Sequence, residues 1–178
     1  MKLLRTIQFD LSDTFVFECA ALPGEWAVSG AFAFLNENIP ALQGKARTAF
    51  RAGFLGLRSL GRSTLVQIVD ADEQDRVTAV EILAEQLVSR FDAPDVAMAR
   101  AAAEEEIGFT ASLCDHPVGV VIAVTRTLDG GSIRETFRTL RPAAQVPSRA
   151  FSFVELVGED GSPNEQLNLA DLGKAARI

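Results

Sequence analysis

The chain has 178 residues, 48% of them hydrophobic and 23% charged, with a formal net charge of −7. Those values suit one globular domain with a substantial core and exclude a disordered chain. The acidic balance opposes partners held by neutralising phosphates, whether nucleic acid or an anionic membrane surface, and no apolar run approaches the ~20 residues of a membrane span.

The opening Met1-Lys2-Leu3-Leu4-Arg5 lacks the apolar stretch and cleavage site of a secretory signal, so the expected setting is cytoplasmic. Cys19 and Cys114 lack metal-site or disulfide spacing and read as small buried hydrophobes. Twelve Phe, no Tyr and a single His leave few acid–base groups. No metal and no cofactor is expected.

Alternation over Leu3–Phe9 predicts a first strand. Thr14–Ala21 alternates again, and Pro23-Gly24 fits the centre of a type II turn. Together they predict a hairpin pairing Cys19 with Val28, Phe17 with Gly30 and Phe15 with Phe32. Both of its faces are apolar or small, which implies cover on both sides, or an interface on one.

From Ala41 to about Leu57 the apolar residues Leu42, Ala46, Ala49, Phe50, Phe54 and Leu57 recur at helical spacing. Arg47, Arg51 and Arg58 line the complementary stripe, read as a solvated face. The next stretch, GFLGLRSLGRSTLVQIV over 53–69, is expected to organise the chain: a helix ends among glycines and a central strand, Ser63–Val69, begins. Gly56 to Ser63 imitates a phosphate loop with Arg62 in the lysine position. The surrounding order is helix, loop, strand, the reverse of what places a helix N-terminus on a phosphate, so nucleotide binding is set aside. What survives is a looser anion site formed by Arg58, Arg62 and Ser63 with the loop amides.

Asp72 and Asp95 are placed to cap two further helices, carrying Val77–Phe91 and Val96–Cys114. Glu104-Glu105-Glu106 cannot converge on one ion, because consecutive helical residues point about 100° apart, and reads as a solvated acidic face. Cys114-Asp115-His116-Pro117 gathers reactive types, yet its position at a helix end before proline predicts a terminating turn.

Val118–Thr127 and the residues after Gly130-Gly131 predict a hairpin with Arg126 opposite Glu135, Val124 opposite Phe137 and Ile122 opposite Thr139. Thr125, Thr127, Arg134, Thr136 and Arg138 then share its polar face. Pro142–Pro147 reads as a linker, and Ser148–Gly158 as a last strand suited to a neighbour's sheet edge. Residues 159–178 are polar and read as a mobile tail. The division expected is thus a core over 1–141, a linker and terminal strand over 142–158, and the tail.

KLLRTIQFDLSDTFVFE, PGEWAVSGAFAF and GFLGLRSLGRSTLVQ together resemble a small family of uncharacterised bacterial proteins of unknown function. The resemblance covers roughly residues 1–140 and implies no catalytic residue, ligand or partner.

The fold expected is α+β, a mostly antiparallel sheet built from hairpins with about three helices packed on it. The covered hairpin and terminal arm favour a homodimer. Two functions follow: a non-enzymatic cytoplasmic accessory or interaction protein with a possible protein partner, or a small-anion enzyme or sensor using Arg58, Arg62 and Ser63.

Overall fold

The computed structural model describes residues 1–8, 11–142 and 154–157. It contains eight strands and four α-helices: β1 Lys2–Thr6, α1 Ser12–Val16, β2 Trp26–Val28, α2 Gly44–Ala52, β3 Phe54–Gly56, β4 Arg62–Ser63, β5 Leu65–Asp70, α3 Glu73–Arg90, α4 Val96–Ser112, β6 Val121–Asp129, β7 Ser132–Pro142 and β8 Val154–Val157. The strands form one sheet in the order β4-β3-β2-β1-β5-β6-β7-β8, with every named pairing antiparallel. The α+β expectation, with three long helices on a mostly antiparallel sheet, holds.

Successive strand residues point to opposite faces, and both faces here are buried. In β1, Leu3 joins Trp26, Val28 and Leu55 against Leu83, Ala103 and Ile107 of α3 and α4. Its neighbour Leu4 joins Ala27, Phe54, Val66, Ile68, Ile122 and Val124. β1 and β5 lie inside the sheet, flanked by β2 and β6, as the near-continuous apolar run of β5 predicts.

Two helix starts follow the sequence reading. Asp72 accepts a hydrogen bond from the Asp75 N–H at 2.8 Å while Asp75 reaches back to the Asp72 N–H, a capping box opening α3. Asp95 accepts from the Met98 N–H at 2.8 Å and opens α4. The β6–β7 register is also as expected: Arg126 faces Glu135, Val124 faces Phe137 and Ile122 faces Thr139.

The early hairpin is different. Thr14–Ala21 is not a strand; it contributes to α1, bends over residues 17–19 and meets the sheet at the isolated Ala20–Arg62 bridge. Gly24 does take the left-handed φ of +78° that a type II turn requires. The chain after it, however, pairs with β1 and β3, matching Leu4 with Ala27 and Val28 with Leu55. Alternation showed that β2 is buried on both faces but carried no information on which strands flank it. Phe17 is buried as expected, whereas Phe15 and Cys19 are exposed.

The helix expected to reach Leu57 stops at Ala52, and Phe54 and Leu55 belong to β3. The order around the glycine loop is therefore strand, loop, strand. Phe50, Phe54 and Leu57 keep helical spacing by coincidence, because β3 is buried on both faces and shows no alternation of its own.

The segment after α1 forms a strap over the outer edge of β4. Ala21 N–H donates to the Arg62 carbonyl and Arg62 N–H to that of Cys19, both at 2.8 Å, around a parallel bridge between Ala20 and Arg62. This blunts an edge that would otherwise offer free ladder groups. Gly61 permits it: a Cβ there would collide with the Ala20 carbonyl and lie 2.6 Å from the Ala21 nitrogen. Gly61→Ala is expected to lift the strap and cost about 1–3 kcal/mol. Urea denaturation measures the loss, and an unchanged midpoint would contradict this packing.

β8 adds to β7 of its own chain, with Val157 opposite Thr139 and Val154 opposite Pro142. The sequence reading had suited it to a neighbour's edge instead. The Pro142–Pro147 linker beyond Pro142, and the tail over 159–178, lie outside the described residues.

Candidate functional site

The loop between β3 and β4 does bind an anion, and the anion is Glu25. Its carboxylate accepts from the Arg58 N–H at 2.7 Å, the Ser59 N–H at 3.0 Å and the Leu22 N–H at 2.7 Å, and the Ser59 hydroxyl donates to it at short range. The Ser59 hydroxyl in turn accepts from the Gly61 N–H at 3.0 Å. Converging amides make an anion-binding concavity. Here the ligand is supplied from the turn before β2, and Glu25 is itself buried.

The three residues expected to bind an anion go to three places. Arg58 offers its backbone N–H to Glu25 while the residue is exposed. The Ser63 hydroxyl donates to the carbonyls of Leu65 at 2.8 Å and Ile7 at 3.3 Å. The Arg62 guanidinium turns inward, lying 4.5 Å over the Phe34 ring and donating to the carbonyls of Gly30 and Gly53 at 3.4 Å.

Beside Arg62 lies a second polar centre. Arg126 is 1% exposed. Its Nε donates to Glu135 at 2.6 Å and Nη1 to the carbonyls of Gly53 at 2.8 Å and Phe50 at 3.1 Å, while Nη2 donates to the Ser29 carbonyl. Two of those carbonyls lie at the end of α2, where a cation also meets the negative end of the helix dipole. The Ser29 hydroxyl donates to Glu135 at 2.5 Å. One side chain thus ties together β6, β7, the end of α2 and the residue after β2.

Burial pushes the Arg62 guanidinium down to about 9, and the neighbouring Arg126 adds to the shift; it remains charged at neutral pH. Burial lowers Arg126 as well, while the Glu135 carboxylate opposes the shift.

Glu106 corrects the acidic-face reading of α4. It accepts from the Gly30 N–H at 3.2 Å, and burial raises its carboxyl above the ordinary value, against the pull of that hydrogen bond. A carboxyl raised on folding contributes stability that is present below its unfolded pKa and lost as pH rises through its folded one. Glu106→Gln keeps the acceptor and removes the charge. Its stability relative to the parent is therefore expected to grow as pH rises from about 4 to 8. Urea midpoints across that range test it, and parallel profiles would contradict it. Glu104, by contrast, stays on the surface near Arg100.

The Cys114–Pro117 stretch is a helix-ending turn, as expected. The buried Cys114 thiol donates to the Thr110 carbonyl at 3.4 Å, and burial pushes it up to about 11, so at neutral pH it is a thiol and not a nucleophile. Lys2 Nζ fixes the turn by donating to the His116 carbonyl at 2.5 Å. Among the described residues no cluster of three or more His, Cys, Asp or Glu side chains could hold a metal ion, and no helix is long and apolar enough to cross a membrane.

The strap carries exposed apolar side chains on a firmly anchored segment. Asp13 is buried and its carboxylate accepts from the Thr64 hydroxyl at 2.5 Å and the Thr64 N–H at 3.2 Å, which anchors α1. Phe17 anchors the far side of the helix in the interior. Between and around these fixed points Leu11, Phe15, Val16 and Leu22 face outward, Phe15 with 73% of its surface exposed. Sequence reasoning placed Phe15 in a strand of the early hairpin, opposite Phe32. Glu25, Asp13 and Glu106 were missed because their partners are 33, 51 and 76 residues away.

A family of unknown function, DUF6505, has a model that matches residues 1–152 of this chain. No curated protein and no solved structure matches it.

Proposed function

Since the chain belongs to that family, which brings no activity with it, we propose from the geometry that it is a non-enzymatic cytoplasmic interaction protein. It works as a homodimer joined through the strap of residues 11–22. The observation that carries this reading is the anchored exposure of Leu11, Phe15, Val16 and Leu22. Exposed apolar side chains on a segment fixed by Asp13 and by the Ala20–Arg62 bridge lose little entropy on docking. A two-fold axis through such a patch would bury the same residues on both copies.

Light scattering on the eluting full chain tests it. The parent is expected at twice the 19.1 kDa of one chain, and Phe15→Ser at that single mass with unchanged secondary structure. A parent that runs as one chain at every concentration would remove the homodimer from the reading.

A second reading rests on Arg62. Among the described residues it donates to carbonyls and lies beside Arg126, without a carboxylate in ion-pair range. A small phosphate-like or carboxylate ligand would relieve that crowding, with Arg58 and Ser63 nearby in the chain. Such a ligand at 100 times its Kd stabilises a protein by about 2.7 kcal/mol. Thermal unfolding with phosphate and with acetate reads this directly, and no stabilisation of the parent by either ends this alternative.

A further inference from the structure

Charge is unevenly placed on this chain. Residues 38–69 contain Lys45, Arg47, Arg51, Arg58 and Arg62 and not one Asp or Glu, in a protein whose net charge is −7. Arg62 turns inward and Arg58 lies on the β3–β4 loop, which leaves α2 with Lys45, Arg47 and Arg51, all exposed. Among the described residues, none of these three side chains has a hydrogen bond or an ion pair. Arg76, Arg100 and Arg134, by contrast, each lie within ion-pair range of a carboxylate.

The arrangement does nothing for the helix itself. Lys45 stands in the first turn, at the positive end of the helix dipole, where neither an acidic residue nor a side-chain cap offsets it. Arg47 and Arg51 share a face one turn apart, about 6 Å along the axis, where like charges repel. The adjoining α1 brings no relief, because its Asp13 is held by Thr64. The helix is nevertheless firmly fixed: Phe50 is buried edge-on against Phe34, and the carbonyls of Phe50 and Gly53 hold Arg126.

We propose that the Arg47–Arg51 face of α2 docks an acidic helix of a protein partner, one whose carboxylates recur on successive turns. Each guanidinium offers a fork of N–H donors to one carboxylate. Rigid support beneath them limits the ordering that docking requires. A membrane or a nucleic acid carries negative charge across its whole footprint and would also face the acidic remainder of the chain; a short segment confines its charge to α2. This inference rests on the interaction-protein reading and names the partner's chemistry; it does not depend on the dimer.

Fluorescence anisotropy on the full chain tests it, with a dye-labelled, alanine-rich peptide of about fifteen residues carrying glutamates at i, i+4 spacing. Arg47→Gln with Arg51→Gln is expected to weaken binding about tenfold, and Arg90→Gln with Arg134→Gln, which removes the same charge elsewhere, less than about twofold. Arg51→Gln alone, a single exposed change, should show an intermediate loss. A parent that binds no peptide, or equal losses in the two double variants, overturns the proposal. So does a parent that holds anionic lipid vesicles as tightly as the peptide. Binding to Phe15→Ser is expected to be unchanged. Its loss there would put the peptide on the strap and overturn the α2 site, while the mass of the parent in solution decides the dimer separately.

Discussion

Arg126→Met is expected to cost about 3–5 kcal/mol, the loss typical when one member of a buried ion pair is removed. The replacement has similar reach, so the loss comes from stranded partners and not from a void. Glu135 keeps a charge in a site where its cation is gone, and the carbonyls of Ser29, Phe50 and Gly53 lose the donors they face. Of a domain stability of roughly 5–15 kcal/mol, that is a large share. Urea denaturation of both proteins measures it, and a loss under about 1 kcal/mol would mean that water reaches those groups. The double variant Arg126→Met, Glu135→Leu should recover part of the loss, because neither charge is then left alone. Arg134→Ala supplies the contrast: its pair with Asp129 is 2.7 Å long but both partners are largely exposed, and its loss should stay within about 1 kcal/mol.

Glu25→Ala should be the second most damaging change, at about 2–4 kcal/mol. It leaves the N–H groups of Leu22, Arg58 and Ser59 and the Ser59 hydroxyl without their shared acceptor, inside a loop closed from both ends. Glu25→Gln keeps one acceptor oxygen and should fall between the parent and the alanine variant. Amide exchange at Arg58 and Ser59 gives a local reading that global unfolding does not: it should accelerate in Glu25→Ala while amides in α3 stay protected. Unchanged exchange at those two positions would show that the carboxylate does not hold the loop.

These two residues also explain why a phosphate-loop imitation appears in the sequence. Glycines flanking Ser59 let successive amides converge, which is the geometry any anion needs. The ligand turned out to be a carboxylate of the same chain, 33 residues earlier in sequence. The motif's chemistry was legible; its occupant was not, because nothing local to residues 56–63 records the approach of Glu25.

The same division runs through the fold. Where a structure is closed by neighbouring residues, the sequence was sufficient. Asp72 and Asp95 cap their helices within one turn, and Gly130-Gly131 sets the β6–β7 register, including the Arg126–Glu135 pair. The cysteine turn after α4 followed from its proline and its position. Where contacts span the chain, the sequence misled in an instructive way. Phe15 alternated like a strand residue but lies exposed on a short helix, because Asp13 is held by Thr64, 51 residues away in the bend between β4 and β5. Phe54 kept helical spacing but pairs in a strand, because Leu55 meets Val28.

The residues alone thus determined the class of fold, three long helices and one complete hairpin register, since propensity, capping and turn chemistry act over a few positions. Only the tertiary structure decided that β2 sits between β1 and β3, that Glu25 fills the glycine loop and that Arg126 is buried among carbonyls. Those outcomes depend on which elements meet in space, and a carboxylate or guanidinium looks the same in sequence whether it ends in water or in the core.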